Sequence, residues 1–412
     1  MKKNILYYSD CPFFAGCENM VANFLNSEKL NEMFDVHFVY CYSERYEEGV
    51  KRRIKDMSKS EGIELLVETG QSKYITSKVA LIALLQKLVW AVVYIVNKYY
   101  SIYSNTKKLQ KVFTKYSPDI VHINNGGYPA AASAQAAVIA AHRCGVKYIY
   151  YVVNNMAMSY THPFRWLDVF VDPYIKKYVT KFITGSNNAG NHLKSVLGLS
   201  DLKQITLRNG IVQRSTTMSV ADFKSKYGIP EGKLVFSTIA NLELRKGHRY
   251  LLQAILELKE KGKIDNCLFV LEGKGERELF IKSYITEHGL NDMVKLISVD
   301  AIYDLYKVTD VTILPSIAKE DFPNTIIESM GMGIPVIGTR IAGIPEQIVP
   351  DRTGILIEPA NVTQLKAAIV KMIENESFRM LCGEQAKIVF LENYTAERSV
   401  VSYIEIYKQC NQ

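Results

Sequence analysis

Short apolar runs alternate with helical stretches along this chain of 412 residues, and the alternation starts again near residue 207. Apolar runs of four to eight residues that are bounded by turns are typical of buried parallel strands. In the first half they cover residues 4–8, 36–40, 120–123, 148–153 and 181–184, with helical stretches at 18–26 and 129–143. This alternation predicts an α/β fold with an open, doubly wound parallel sheet.

The second half repeats the pattern after a turn at 207–211. Ser219 suits the N-cap of a helix at 220–227, which Gly228 and Pro230 end. Strands are predicted at 234–240, 267–272, 294–298, 311–314, 335–339 and 354–357, and helices at 248–261, 276–288, 302–307 and 324–332. We therefore predict two Rossmann-like domains, residues 1–205 and 206–390, that face each other across a cleft. The remaining residues, 391–412, should form a helix that packs back on the first domain.

The segment 315–348, PSIAKEDFPNTIIESMGMGIPVIGTRIAGIPEQI, carries the most specific chemistry. Pro323 suits the first turn of a helix, so Glu320 lies in the loop before that helix and Glu328 lies one turn inside it. The free N–H groups of Asn324 and Thr325, at the positive end of the helix dipole, would face an anion. Carboxylates at this spacing can accept hydrogen bonds from sugar and ribose hydroxyls. The segment predicts a sugar-nucleotide site, although an isolated glutamate pair is more often a pair of solvated surface residues.

Two further loops follow strand ends. In IANLELRKGHRYLLQA, residues 239–254, Arg245 and Lys246 precede Gly247 at the start of a helix. Adjacent cations there can hold a diphosphate, and because cations are unfavourable at a helix N-terminus, their presence favours an anionic ligand. The alternative is an ordinary basic turn. Gly16, after the first strand, could let the backbone approach a phosphate, but a single glycine is a weak signal.

The charge is concentrated in the first half of the chain. Residues 1–200 hold 24 basic and 15 acidic side chains, and residues 49–118 hold 13 and 4. This excess suits an anionic partner such as phospholipid headgroups, or it is a solvated surface. The apolar stretch 79–96 is interrupted by Gln86 and Lys87 and followed by lysines and tyrosines, so we expect a helix that touches a bilayer surface, or an ordinary core helix, and not a span.

Other classes of partner and compartment are disfavoured. The basic residues are not interleaved with aromatic residues in a recognised module, so nucleic acid is not expected. Seven scattered cysteines without a CxxC pair suggest reduced thiols in a cytosolic protein. The sequence has no Asp-x-Asp and no other evident set of divalent-ion ligands. The run Gly273–Lys274–Gly275 lacks the third glycine of a dinucleotide fingerprint, which argues against NAD.

Taken together, these motifs resemble the GT-B fold glycosyltransferases of family 4, the large retaining group with an E-x7-E element. The carriers are Glu320 to Glu328, the phosphate loop at Lys246, LRNGI, VTILPS, GMGIPVIGT and AGIPEQI. The resemblance implies that Glu320 contacts the transferred sugar and Glu328 the ribose, while Arg245 and Lys246 neutralise the diphosphate leaving group.

The resemblance also assigns the remaining donor contacts. Backbone groups at Phe322, Asn324 and Thr325 would hold sugar and phosphate, and Gly16 would approach from the first domain. It implies no metal or other cofactor. Retention in this family is ascribed to front-face attack assisted by the leaving phosphate, so neither glutamate is assigned as the acid or base of a glycosidase.

Three positions depart from the family pattern. Ala240–Asn241 stands where many relatives have Gly-Arg, and Asp321 replaces a common glycine after the first glutamate. Asn154 and Asn155 stand where many relatives have an acceptor-side histidine, and an amide cannot act as a base. His122 and the run NNGGYP at 124–129 are further acceptor-side candidates, although a partly buried structural role for His122 is the favoured alternative.

We therefore predict a retaining glycosyltransferase that moves a hexose or N-acetylhexosamine from a nucleoside diphosphate, with UDP expected, to a growing glycan. The basic first half suggests a lipid-linked acceptor in surface polysaccharide assembly, with the protein cytoplasmic or peripheral on the inner face of the membrane. Two alternatives stay open. One is a non-catalytic nucleotide-sugar-binding partner subunit, motivated by Asn154 and Asn241, and the other is a sugar-nucleotide epimerase of the same fold.

Overall fold

The computed structural model describes residues 2–11, 14, 16–66, 83–162 and 164–409. Two compact units make up the chain: Met1–Arg208 together with Ser399–Gln412, and Asn209–Arg398. Each contains one parallel sheet with helices on its faces. The predicted fold class, two doubly wound Rossmann-like α/β units, is confirmed.

The first unit is built on a seven-stranded sheet in the order β3-β2-β1-β4-β5-β6-β7, in which all the described pairings are parallel. Its strands are β1 (Lys3–Ser9), β2 (Phe34–Cys41), β3 (Ser60–Ile63), β4 (Ile120–Asn125), β5 (Tyr148–Val153), β6 (Lys181–Thr184) and β7 (Gln204–Thr206). The helices between them are α1 (Gly16–Leu25), α2 (Glu28–Met33), α3 (Glu44–Arg53), α4 (Ala83–Tyr116), α5 (Ala132–Arg143), α6 (Asp172–Tyr178) and α7 (Asn187–Leu197). The described residues of this unit also form 3₁₀ segments at Met57–Lys59, Arg165–Phe170 and Asp201–Lys203.

The second unit has a six-stranded parallel sheet in the order β10-β9-β8-β11-β12-β13. Its strands are β8 (Leu234–Ile239), β9 (Cys267–Glu272), β10 (Val294–Ile297), β11 (Val311–Leu314), β12 (Val336–Thr339) and β13 (Gly354–Ile357). The helices are α8 (Val220–Tyr227), α9 (His248–Lys259), α10 (Glu278–Glu287), α11 (Ile302–Lys307), α12 (Asn324–Gly331), α13 (Ile344–Gln347), α14 (Val362–Glu374) and α15 (Glu376–Asn393), with one 3₁₀ turn at Leu244–Lys246.

The last helix, α16 (Ala396–Gln409), passes from the second unit to the first. Its Tyr403 and Tyr407 are buried in the first unit's core, where Tyr403 packs against Phe24 with ring centroids 4.6 Å apart. The Tyr407 hydroxyl lies 3.2 Å from that of Tyr7 on β1. Aromatic residues on one face of this helix therefore fix it to the first sheet.

The segment 79–96, predicted as a bilayer-touching or core helix, is only partly described. Residues 79–82 lie outside the described part of the chain, as do the side chains of 83–88. From Ala83 onward the chain is helical as far as Tyr116. Among the described helices, none is long and apolar enough to cross a membrane.

Candidate active site

Two loops of the second unit come together at the carboxyl edge of its sheet. One follows β8 and carries Arg245 and Lys246, and the other follows β11 and carries Glu320. Because β8 and β11 are parallel neighbours, their following loops leave the sheet side by side. The backbone N–H of Ile317 donates to the Arg245 carbonyl at 2.7 Å and ties the two loops together.

Gly247 explains how closely these loops approach. Its φ of +73° is in the left-handed region, and a Cβ built on it would lie 1.9 Å from the Pro315 carbonyl oxygen. A side chain is therefore excluded on two grounds, the backbone conformation and the lack of space. On the far side, the Thr339 hydroxyl donates to the Ser316 carbonyl at 2.7 Å, so the loop after β11 is held from both directions.

Glu320 is buried, and three side chains satisfy its carboxylate. The Lys246 ammonium donates to its Oε1, the Ser316 hydroxyl donates at 2.8 Å, and Arg245 Nη1 lies at 3.3 Å. Arg245 also donates through Nε to Glu243 at 2.6 Å. The structure thus brings the three residues predicted as catalytic into one cluster and adds Glu243, which the sequence reasoning missed.

The cluster contains two cations and two carboxylates, so their formal charges cancel. Burial lowers the pKa of Lys246 below its ordinary value, against the opposing attraction of Glu320. For Glu243, burial acts to raise the pKa, but Arg245, with smaller contributions from Asn241 and Lys246, outweighs it and the pKa is lowered. Because these ion pairs are partly removed from water, their charges must be compensated by hydrogen bonds of well-defined geometry.

The second predicted glutamate occupies a separate position. Helix α12 begins at Asn324, directly after Pro323 in extended conformation, and Glu328 is half-buried in its second turn. The Tyr306 hydroxyl donates to Glu328 Oε2 at 2.9 Å. Tyr306, on helix α11, was not predicted to have a role. Its contact with Glu328 joins two different helices, and local sequence does not predict such contacts.

The residues between the two glutamates are partly core. Asp321 and Phe322 are buried, and Phe322 packs against Tyr394 with ring centroids 5.6 Å apart. The Thr325 hydroxyl donates to the Ile239 carbonyl at the end of β8, at 3.1 Å. This bond places the first turn of α12 over the end of β8.

The acceptor-side candidates lie in the first unit. Asn154 follows β5, and its amide donates at 2.9 Å both to Asn124 Oδ1 and to the Asn125 carbonyl. Asn124 in turn donates to the Ser9 hydroxyl at 3.3 Å. These residues end β5, β4 and β1, so a polar chain crosses the carboxyl edge of the first sheet. Ser9 was missed, although its position at the end of a strand was a usable signal.

Two other predicted site residues, Gly16 and Asn155, also lie in the first unit. Gly16 is the first residue of α1. Asn155 caps its own loop, because its Oδ1 accepts a hydrogen bond from the Met156 N–H at 2.8 Å. Their predicted ligand contacts stay predictions.

His122 has the structural role that was the favoured alternative. Its imidazole is 1% exposed, and Nδ1 lies 2.5 Å from the Tyr407 hydroxyl. Burial lowers its pKa to about 3. The predicted acceptor-side contact does not fit a ring that is enclosed by the rings of Tyr7, Phe24 and Tyr403.

Metal ligands were not expected. Across the described ranges, no three His, Cys, Asp or Glu side chains are grouped in a way that could hold a metal ion.

Comparison with known proteins identifies a family that the second unit matches. Residues 219–389 match the sequence profile of the family described as "Glycosyl transferases group 1". The chain is 29% identical over 189 residues to N-acetyl-alpha-D-glucosaminyl L-malate synthase from Bacillus anthracis. It is 23% identical over 192 residues to alpha-D-kanosaminyltransferase from Streptomyces kanamyceticus. Each match covers 46% of this chain and 49% of the relative, so the chain spans about half the length of these relatives.

Solved structures extend the likeness of fold to the whole chain. A glycosyltransferase from Rickettsia africae ESF-5 is similar with a TM-score of 0.76 at 20% identity, over 100% of this chain and 99% of that one. Anabaena HepE in complex with UDP-glucose is similar with a TM-score of 0.75 at 15% identity, over 98% of this chain and 99% of that one. The fold is that of GT-B glycosyltransferases, and the second unit matches the profile described as glycosyl transferases.

Proposed function

We propose that this chain is a retaining glycosyltransferase of family 4 that transfers a hexose or N-acetylhexosamine from a UDP-sugar to a growing, lipid-linked surface glycan. The observation that carries the proposal is the Glu320–Lys246–Arg245 cluster at the carboxyl edge of the second sheet. Ligands of open α/β sheets bind at this edge. The enzyme would act at the cytoplasmic face of the membrane and use no metal or other cofactor.

The chemistry needed is stabilisation of a leaving group. As the bond between sugar and diphosphate breaks, negative charge grows on the phosphate oxygens. Arg245 and Lys246, fixed before the reaction, would stabilise this charge more in the transition state than in the bound donor. The N–H groups at the start of α12 would add to the same field.

Glu320 has two tasks in this proposal. Its carboxylate holds both cations in place, and it would accept hydrogen bonds from hydroxyls of the transferred sugar. In front-face transfer the leaving phosphate assists the attacking hydroxyl, so no protein nucleophile is required. This agrees with Asn154, whose amide could orient an acceptor or donor hydroxyl but could not deprotonate it.

Glu328 would bind the ribose of the nucleotide. A carboxylate that accepts both ribose hydroxyls needs a fixed rotamer, and the Tyr306 hydroxyl supplies the bond that orients it. Asp321, Phe322, Asn324 and Thr325 would shape the donor pocket around these two carboxylates.

The expected donor class is supported by relatives. Anabaena HepE is known in complex with UDP and with UDP-glucose, and the Bacillus anthracis relative is named for an N-acetylglucosaminyl product. Both agree with a UDP-linked hexose or N-acetylhexosamine for this chain.

A panel of UDP-, GDP- and ADP-sugars tests the proposal. Thermal shift measurements should show stabilisation by one nucleotide class, and a radiolabelled donor of that class should be consumed when a lipid-linked acceptor is added. Binding without turnover would favour the partner-subunit alternative. Conversion of the donor sugar without an acceptor would favour the epimerase, and stabilisation by none of the three classes would contradict a nucleotide-sugar site.

A further inference from the structure

The first unit exposes large apolar side chains in two neighbouring segments. On α4, Val92, Val96, Tyr100 and Tyr103 are each 59–60% exposed. Their spacing of four, four and three residues puts them on one stripe of the helix. On the 3₁₀ segment Arg165–Phe170, Trp166 is 52%, Val169 50% and Phe170 73% exposed. We call these seven residues the apolar surface.

The two segments share a border. The Tyr99 hydroxyl donates to the Leu167 carbonyl at 2.7 Å and joins α4 to the 3₁₀ segment, next in sequence to Tyr100 and Trp166. The ring of Phe164 packs between the segments, 5.2 Å from both Trp90 and Tyr94 of α4. These contacts hold the two segments that carry the apolar surface side by side.

A buried ion network holds this border in place. The Lys98 ammonium lies 2.7 Å from Asp168, and Arg165 bridges Asp168 at 3.0 Å and Asp172 at 2.7 Å. The Tyr128 hydroxyl donates to Asp172 at 2.7 Å. A buried ion network adds little net stability, but it does fix geometry, so the network keeps the exposed segment in one conformation.

The same network determines the charge around the apolar surface. It encloses the carboxylates of Asp168 and Asp172, and α4 contains six lysines but no aspartate or glutamate. Within the described residues of α4 and of Arg165–Phe170, the exposed charged side chains are thus lysines of α4, such as Lys107 and Lys111. Lys107 lies over the ring of Tyr103, 5.9 Å from its centroid.

We propose that the apolar surface and its lysines dock this protein on an anionic lipid bilayer, with Trp166 and Phe170 inserted among the headgroups. Tryptophan and tyrosine prefer the bilayer interface, and lysines beside them are attracted to anionic lipids. A second copy of the chain is disfavoured as occupant, because two such faces would bring lysines against lysines. The biological purpose of this docking rests on the proposed function, because an enzyme bound to the bilayer could reach a lipid-linked acceptor.

The tryptophans allow a direct test. The chain has two, Trp90 and Trp166, and both lie in or beside the apolar surface. In Trp90→Phe, Trp166 is the sole tryptophan. Its emission should shift to shorter wavelength with vesicles that contain about one third phosphatidylglycerol in phosphatidylcholine, and much less with phosphatidylcholine alone. No shift with either vesicle would overturn the proposal.

Matched variants separate insertion from charge. Trp166→Ser/Phe170→Ser should lower co-sedimentation with the anionic vesicles by about tenfold or more, and Lys107→Glu/Lys111→Glu should do so most strongly at low salt. Leu202→Ser and Lys261→Glu, which change an exposed leucine and an exposed lysine elsewhere, should bind like the unmodified chain.

Two readouts keep this proposal distinct from the proposed function. UDP binding of the Trp166→Ser/Phe170→Ser variant should equal that of the unmodified chain, which also shows that the variant is folded. Equal vesicle binding by this variant and the unmodified chain would overturn the bilayer proposal and leave glycosyl transfer untouched. Concentration-dependent dimerisation that the variant abolishes, without vesicle binding, would assign the surface to a second copy and likewise overturn it.

Discussion

The Lys246 ammonium donates a hydrogen bond to the carboxylate of Glu320, across two loops that follow neighbouring strands. Both groups are largely buried, with side-chain exposures of 11% and 7%. This contact cannot be inferred from local sequence, because 73 residues lie between the two positions. It is the parallel pairing of β8 and β11 that turns two distant loops into one site.

Replacing Glu320 should separate nucleotide binding from transfer. Glu320→Gln keeps the shape of the side chain but removes the charge that the cations share, so UDP should bind as tightly as before or more tightly. Transfer should fall about 100-fold, equivalent to about 3 kcal/mol of transition-state stabilisation. Isothermal titration with UDP and initial rates with saturating acceptor measure the two effects. The exposed Glu287→Gln is the control, and full turnover in Glu320→Gln would show that the site is wrongly assigned.

Removing the second carboxylate should strengthen nucleotide binding. Glu243 neutralises Arg245 through the 2.6 Å contact with its Nε, and in Glu243→Gln this guanidinium has one anion fewer beside it. We expect the Kd for UDP to fall about threefold to tenfold at low salt, roughly 1 kcal/mol, with a smaller gain as salt rises. Weaker binding in the variant would instead mean that Glu243 is needed to hold Arg245 in position.

Much of the fold follows from local sequence. Strand β5 at Tyr148–Val153 and helix α8 at Val220–Tyr227 have the predicted bounds, because a buried apolar run defines the first, and the caps Ser219 and Gly228 define the second. The edge strands β3 and β7 were not predicted. They have only four and three residues, and β3 contains Glu61 and Gly62, so their pairing depends on the neighbouring strand.

The site was less accessible to sequence reasoning. Motif spacing indicated Glu320, Arg245 and Lys246, but Glu243 and Tyr306 matter through tertiary contacts that spacing does not encode. The 3₁₀ segment Arg165–Phe170 is an extreme case, since the ion network that forms it joins Lys98 to residues about 70 positions away.

Gly247 should be far less tolerant of a side chain than another glycine of similar backbone conformation. Gly262 has φ +59°, and its nearest atom to a new Cβ is Asp265 Oδ2 at 3.8 Å, whereas Gly247 would clash with Pro315. Gly262→Ala should therefore cost about 1 kcal/mol from the backbone alone. Gly247→Ala should cost about 3 kcal/mol or more, because the loops must move apart as well. Urea unfolding of the two variants gives the comparison, and equal costs would contradict the close approach of the loops.

Stability should decrease as the pH falls below neutrality, because two histidines are buried without charge. Burial lowers the pKa of His122 to about 3 and that of His248 to about 4, from an ordinary value of 6.5. Below pH 6.5 these histidines bind protons in the unfolded chain but stay neutral in the folded chain. The stability present above that pH is therefore lost progressively toward pH 4. At pH 5 each histidine should contribute a loss of about 2 kcal/mol.

The His122 share of this pH dependence can be isolated. His122→Phe should lower the free energy of unfolding at pH 7.5 by about 1 kcal/mol, since the Tyr407 hydroxyl loses its contact with His122 and keeps that with Tyr7. Between pH 7.5 and pH 5, however, the variant should lose about 2 kcal/mol less than the unmodified chain, because the phenyl ring takes up no proton in either state. Urea titrations at both pH values measure the difference. His288→Gln, which replaces an exposed imidazole, is the control and should leave the slope as it is. An unchanged slope in His122→Phe would show that His122 takes up protons equally in the folded and the unfolded chain, which would contradict a buried imidazole held neutral beside Tyr407 of α16.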